Sequence, residues 1–214
     1  MRVIVPGAVV GILVVAAGSA PSGEPAAKVV VTGTVFVSDA AKGGRQPLAS
    51  AVVDIAGLPP DLAPPPKGAV SVVFKDKRMV PPVSAAAVKQ PVAFTQADKF
   101  DYRIWYAHSA IPPAGATAPS PTPPHTAKFD VPGLVLVRCV VNPEARGYVV
   151  VTDSSQHAVT DERGQFRLPH PLPPGTYPIR AWRPDHEKAE AMVRASGAEN
   201  PQVVEVVIQR RLGR

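Results

Sequence analysis

Twenty-seven of the 214 residues are proline, about two and a half times the usual share. Proline removes a backbone donor and breaks helix interiors, which argues against a mainly helical fold. Apolar residues make up 45% of the chain and charged residues 19%. The first is enough for a real core; the second is too low for charge-driven disorder or a long coiled coil. The prolines crowd into two stretches, residues 59–66 and 111–124. Neither can be a central strand; the first reads as a linker and the second as a solvated loop with polyproline character. Elsewhere the sequence breaks into short β-branched or alternating runs. Residues 29–37, 51–56, 69–74, 91–95, 101–106, 134–141, 147–151, 165–168, 177–182 and 203–209 read as strands. Short strands at this spacing predict an all-β protein built as one β-sandwich or two small ones. The helical candidate is residues 185–195, with Asp185 as cap and Gly197 as stop. Two turns are predicted: Asp161 starts a type I turn that ends on a positive-φ Gly164, and Gly175 supplies the positive φ of a type II turn after Pro173 and Pro174.

The N-terminus predicts the compartment. Arg2 precedes an apolar run at residues 8–17, followed by small residues through Ala20. This is the n-region, h-region and cleavage zone of a secretory signal over residues 1–20, and it is too short for a membrane span. The expected location is therefore the periplasm, the cell surface or the medium, with no membrane span after cleavage. One cysteine excludes an internal disulfide and any Cys-rich metal centre. In an oxidising space that thiol must be buried, bound or reactive. A formal charge of +6 without a dense Lys/Arg run argues against a nucleic-acid groove. The tail Arg210, Arg211 and Arg214 reads as a solvated end that an anionic surface polymer could use. The sequence contains no Gly-x-Ser-x-Gly, His-Glu-x-x-His, phosphate-binding glycine loop or Cys-x-x-Cys. Its carboxylates are scattered, and the pair Asp161-Glu162 lies in a turn, which is weak ground for a hydrolase. No catalytic and no cofactor-binding residue is assigned, and a non-enzymatic protein is expected.

Residues 139–151 read Cys-Val-Val-Asn-Pro-Glu-Ala-Arg-Gly-Tyr-Val-Val-Val. Before them stands Phe129-Asp-Val-Pro-Gly133; after them come Thr160-Asp-Glu-Arg-Gly-Gln-Phe166, Leu172-Pro-Pro-Gly-Thr-Tyr177 and Ala181-Trp-Arg-Pro184. Upstream lie the Val72–Val83 stretch with its Phe74 and Pro81-Pro82, Gln96-Ala97-Asp98, and the opening Gly33-Thr-Val, Pro47-Leu48 and Ala51-Val-Val. In this order the motifs resemble exported cupredoxin-like proteins often labelled methylamine utilization proteins. The resemblance covers about residues 29–186. It implies a cupredoxin-like Greek-key β-sandwich over residues 67–151, carrying the proline-rich loop 111–124. It also implies a carboxypeptidase regulatory-like β-module from residues 28–57 plus 152–210, into which the sandwich is inserted. Each half of that module is too short to bury a core alone.

A type 1 copper site uses two imidazoles, a thiolate and a weak thioether. Carried over residue by residue, the family's ligand positions fall on Tyr102, Cys139, Asn142 and Ala145. Only the cysteine is present. Asn offers a neutral amide, Ala nothing, and the high ordinary pKa of a phenol, near 10, opposes phenolate ligation by Tyr102. The resemblance thus implies a degenerate copper site and no cofactor. Counting by twos, Val135, Val137, Cys139 and Val141 share one strand face, a core face for the cysteine. His108 and His125 bracket the proline-rich loop, and a new metal site from both with Tyr102 is conceivable. His157, His170 and His186 sit near turns or ends, and no pair has metal-binding spacing, so all five read as solvated surface residues. Trp105, Tyr106 and Trp182 read as core or sheet-face aromatics.

The expected function is that of a copper-free binding or structural component of the cell envelope, with an envelope protein or surface polymer as partner and no nucleic acid. Two alternatives stand beside it. One is a copper-binding electron-transfer protein with altered ligands. The other is an accessory subunit of an exported enzyme, docking by a sheet edge or the proline-rich loop.

Overall fold

Alternation of β-branched and small polar residues dictates the local structure from the first strand onward. In Val31-Thr-Gly-Thr-Val35 the odd positions are buried and the even ones half-exposed, the period-two pattern of a strand with one face on a core. A computed structural model describes residues 28–39, 44–110, 121–184, 186–196 and 202–209. The expected signal at residues 1–20, residues 111–120 of the proline-rich loop, and the tail Arg210, Arg211 and Arg214 lie outside the described residues.

The fold is all-β: among the described residues there are sixteen strands and no helix. They are β1 (Val31–Asp39), β2 (Gly44–Pro47), β3 (Val52–Ile55), β4 (Val70–Lys75), β5 (Arg78–Val80), β6 (Val83–Ala87), β7 (Val92–Gln96) and β8 (Ile104–His108). They continue as β9 (His125–Ala127), β10 (Gly133–Cys139), β11 (Arg146–Thr152), β12 (His157–Val159), β13 (Gln165–Arg167), β14 (Gly175–Trp182), β15 (Ala189–Ala195) and β16 (Gln202–Gln209).

Four sheets pair into two sandwiches. In one, β13-β1-β16, with β2 also on β1, faces β12-β3-β14-β15. Its core takes Val31 and Val35 from β1 and Val53 and Ile55 from β3, then Ile179 and Ala181 from β14, Val193 from β15, and Val206 and Ile208 from β16. In the other, β5-β4-β7-β9 faces β6-β11-β10-β8. Its core joins Val72, Phe74 and Phe94 to Ile104, Val135, Val137, Cys139, Val149 and Val151. Its two hairpins are β4–β5 and β10–β11; its other consecutive strands lie in opposite sheets. A small apolar cluster of Val52, Val83 and Ala85, with Val150 packed on it, lies where the two sandwiches touch.

Two local expectations need correction. The helix expected over residues 185–195 is a strand from Ala189 onward, paired antiparallel with β14; its proposed cap, Asp185, is outside the described residues. Val193 and Ala195 are buried while Glu190, Met192 and Arg194 are exposed, so period-two burial against the core overrides helix propensity. Gly175 does not take a positive φ. It already pairs with Ala195 in β14, and a Cβ there would lie 3.1 Å from the Tyr177 hydroxyl, so its role is space rather than a left-handed turn. Residues 59–66 form no strand, as expected, but they are tied down: Ser155 Oγ donates to Pro64 O at 2.6 Å.

The turn at Asp161 behaves as predicted. Asp161 Oδ1 accepts the N–H groups of Arg163 (2.9 Å) and Gln165 (2.8 Å), and Gly164 has φ +72°. A Cβ on Gly164 would meet Val35 O at 2.6 Å and Leu48 N at 2.8 Å. Gly164→Ala therefore combines a left-handed backbone with a clash against main chain. It should lower stability by about 2 kcal/mol, read as a drop in the urea midpoint at unchanged slope.

Asp54 is nearly buried and lies between two cross-strand neighbours, His157 on β12 and Arg180 on β14. Arg180 forks onto it through Nε (3.2 Å) and a terminal nitrogen, which also reaches Asp153 Oδ1 at 3.3 Å. Burial raises the Asp54 carboxyl above its ordinary value, and Arg180 offsets only part of that. Removing one partner strands the other charge, so Asp54→Ala should cost about 2 kcal/mol in a chemical melt. A double Leu replacement of Asp54 and Arg180 should recover much of it, because a buried pair adds little over apolar packing.

Candidate functional site

Strand β10 stops at Cys139 because the chain turns there. Cys139 N donates to Ala145 O (2.8 Å) and Ala145 N to Asn142 O (2.9 Å), closing a loop that delivers β11. The thiol is buried. Its Sγ accepts two backbone N–H groups, from Asn142 (3.2 Å) and from Arg103 (3.4 Å). Val140 N returns a bond to Arg103 O at 2.8 Å, so the entry to β8 is stitched to the end of β10. Val135 and Val137 share the buried face with Cys139, whereas Val141, expected on it, is 48% exposed because the strand has ended.

The other three positions that the resemblance assigns to ligands make contacts within the protein. Ala145 is fully buried and offers a methyl group. Asn142 Nδ2 donates to Asp101 O at 2.6 Å. Tyr102 is buried with its ring stacked on Phe74, centroids 5.0 Å apart. Its hydroxyl donates to Asp98 Oδ2 (3.0 Å) and accepts from Lys77 N (3.1 Å). Thus Cys139, Asn142 and Ala145 share one loop, while the Tyr102 hydroxyl is aimed at the β4–β5 hairpin.

That hairpin explains the Tyr102–Asp98 pair. Asp76 and Lys77 form its two-residue turn with φ of 51° and 56°, the left-handed pair a type I′ turn demands and non-glycine residues resist. Both turn N–H groups are captured: Asp76 N donates to Asp98 Oδ2 at 2.6 Å and Lys77 N to the Tyr102 hydroxyl. Asp98 Oδ1 also accepts Phe100 N at 3.2 Å. Desolvation of Asp98 is outweighed by these three hydrogen bonds and the charge of Lys75, so its carboxyl lies below the ordinary value. Burial, joined by the neighbouring Asp98, raises the Tyr102 phenol and keeps it neutral, even though Lys77 N opposes the shift.

The residues present do not fit a type 1 copper ion: one thiol, a committed amide, a methyl group and a neutral phenol stand where imidazoles and sulfurs are needed. Among the described residues no three His, Cys, Asp or Glu side chains come together as a metal site. The histidines are not the solvated residues expected. All five are half-buried. His108 Nε2 donates to Val131 O (2.9 Å) while its Nδ1 accepts Ala110 N (3.0 Å). His125 lies against the Tyr106 ring at 6.2 Å. His157 Nδ1 contacts Ser154 O (3.0 Å) and the Thr152 hydroxyl (2.9 Å), and burial lowers its pKa. Trp105 stacks under Arg138, 4.2 Å from the guanidinium carbon, and Trp182 meets Tyr148 edge-on at 6.3 Å.

Sequence reasoning missed the polar crossing at residues 152–156. Thr152, Ser154, Ser155 and Gln156 are all buried. Ser154 Oγ donates to Ile55 O (3.1 Å), Gln156 Nε2 donates to His170 O (2.5 Å), and Gln156 Oε1 accepts His170 N (3.1 Å). A run of polar residues with no motif gives no sign in sequence that it is buried.

Because the folded Asp98 carboxyl titrates below its ordinary value, its contribution is complete above about pH 4. It is lost as pH falls through the folded value. Wild-type protein should therefore lose stability below about pH 4 more steeply than Asp98→Asn, which should start from a lower midpoint at neutral pH. Parallel slopes in acid-range urea melts would remove Asp98 from this role.

No protein-family profile and no curated protein matches the chain. Solved structures do. The chain is similar to an oxidized variant of amicyanin at 20% identity, over 40% of this chain and 83% of that one, with a TM-score of 0.33. It is similar to a pseudoazurin from Sinorhizobium at 18% identity, over 42% and 77%, with a TM-score of 0.34. It is also similar to a purple cupredoxin from Nitrosopumilus maritimus at 16% identity, over 39% and 99%, with a TM-score of 0.32.

Proposed function

We propose that this chain is an exported, copper-free, cupredoxin-like protein of the cell envelope that binds or scaffolds and does no catalysis. The sandwich of residues 67–151 is an insertion within a regulatory-like module of residues 28–57 plus 152–210. One observation carries the loss of copper: the Tyr102 hydroxyl, at the first ligand position, bridges Asp98 and the Lys77 N–H. The position serves the hairpin turn instead of a metal. The Asn142 amide bond to Asp101 O and the buried Ala145 methyl agree with it. A sulfur that already accepts two N–H groups inside the core is a stable end state for a thiol without a metal partner.

Metal analysis of the mature, secreted protein after loading with Cu(II) tests the reading. The expected result is far less than one copper per chain and no thiolate-to-copper charge-transfer colour. Near-stoichiometric copper with that colour, lost in Cys139→Ser, would replace this reading with the electron-transfer alternative.

A further inference from the structure

The outer face of the sheet β6-β11-β10-β8 is covered on one side and open on the other. On the covered side Val83 and Ala85 of β6 and Val150 of β11 pack with Val52 of the first sandwich, and Tyr148 of β11 meets Trp182. That cluster takes no residue from β10 or β8. Strand β10 alternates. Val135, Val137 and Cys139 are buried in the second core, Leu134 and Leu136 are half-buried, and Arg138 and Val140 are exposed. Register sets Ala107 beside Leu136 and Trp105 beside Arg138 on that outward face, both half-buried. An apolar floor of leucine, alanine and tryptophan thus runs on from the covered surface.

Cations border this floor. The Arg138 guanidinium lies over the Trp105 ring, its carbon 4.2 Å from the centroid. A guanidinium held on a ring face keeps its in-plane N–H groups free to fork a carboxylate. Directly opposite Arg138 on β11 stands Arg146, also exposed. Like charges opposite one another weaken a sheet, and an acidic group set over them offsets that cost. Arg103, two residues before Trp105, already takes a carboxylate, Asp101 at 3.6 Å.

We propose that the open face of β10 and β8 docks an acidic protein partner, whose apolar side chains cover Leu136 and Trp105 while an Asp or Glu carboxylate forks Arg138. The face continues one that protein side chains already cover, and tryptophan and arginine are the side chains that dominate protein interfaces. Trp105 is half-buried beneath Arg138, so its ring does not stand out to enter a lipid layer. A second copy meeting by the same face would gather the arginines of both chains in one contact, which charge opposes. Residues 111–120, which follow β8 closely, contain no Asp or Glu to meet the arginines. The inference rests on the binding half of the function proposed above and is independent of its copper half, so metal loading and the titration below fail separately.

Fluorescence anisotropy of a labelled random copolymer of glutamate and tyrosine, titrated with the full mature chain, tests it. Polyglutamate is the charge-only control and phosphatidylglycerol vesicles are the lipid control. The copolymer is expected to bind more tightly than polyglutamate and to weaken at high salt. Arg138→Ala and Leu136→Glu should each weaken it about tenfold or more. Arg45→Ala on β2 and Met192→Glu on β15 make the same charge changes elsewhere and should bind as wild type. Equal binding of polyglutamate, no binding of the copolymer, or unchanged affinity in a folded variant carrying both Arg138→Ala and Leu136→Glu would each overturn the proposal. So would vesicle binding, or self-association in sedimentation, that the same two substitutions abolish, since the face would then belong to lipid or to a second copy.

Discussion

Strand β3 has no partner close to it in sequence. It is four residues long and every one is buried. Its two neighbours, β12 and β14, begin at His157 and Gly175, about a hundred residues or more downstream. Without them β3 would show two open edges and a bare apolar face, and β1 would have no opposing sheet. The first sandwich therefore exists only if the chain returns after its long excursion. Closing so long a loop costs entropy that grows only slowly with length, but it delays the contacts that reward it. The excursion folds around a core of its own. Its exit and return are then fastened at one place: Ser154 Oγ to Ile55 O, Ile55 N to Gln156 O, and Ser155 Oγ to Pro64 O. These bonds need buried acceptors and donors in register, and the otherwise featureless run Thr-Asp-Ser-Ser-Gln-His supplies them.

In the second sandwich, a different set of bonds ties the two sheets together. Arg103 joins the end of β10 to the start of β8 through its N–H to sulfur and its carbonyl from Val140. One residue earlier, Tyr102 reaches the other sheet and holds the β4–β5 turn. Adjacent residues thus clamp both sheets at one end. The cost of two non-glycine left-handed residues at that turn is offset by the Asp76 N–H bond to Asp98 and the Lys77 N–H bond to the Tyr102 hydroxyl, itself held by Asp98, which explains why a half-buried carboxylate near a loop matters to the core beneath it.

Most strands were legible because burial on one face leaves a period-two trace, and β1, β4, β7, β10, β11, β14 and β16 carry it. The missed strands lack that trace for separate reasons. In β6 all five residues are small or buried, on one face toward the second core and on the other toward Val52. In β15 alanine and methionine mimic a helix. The three-residue strands β5, β9 and β12 are too short to show a period at all. The four positions around Cys139 could be named from the motif order, but the partners of their side chains could not. The Tyr102–Asp98–Lys77 bridge spans residues 25 apart, and nothing in a single sequence couples them.

That junction is mostly polar, and this determines what it can do. Its apolar cluster is small, whereas the row His157, Asp54, Arg180 and Glu190 crosses the whole sheet by direct cross-strand register. A buried pair such as Asp54–Arg180 adds little stability over apolar packing, but it penalises any other register, since a slip would leave two charges unpaired in a dry place. The fork fixes Arg180 on β14. Trp182, two residues on, is placed against Tyr148 of β11. Register fixed at Asp54 is thereby passed to the Trp182–Tyr148 contact across the junction, so one buried pair helps set how the two modules meet.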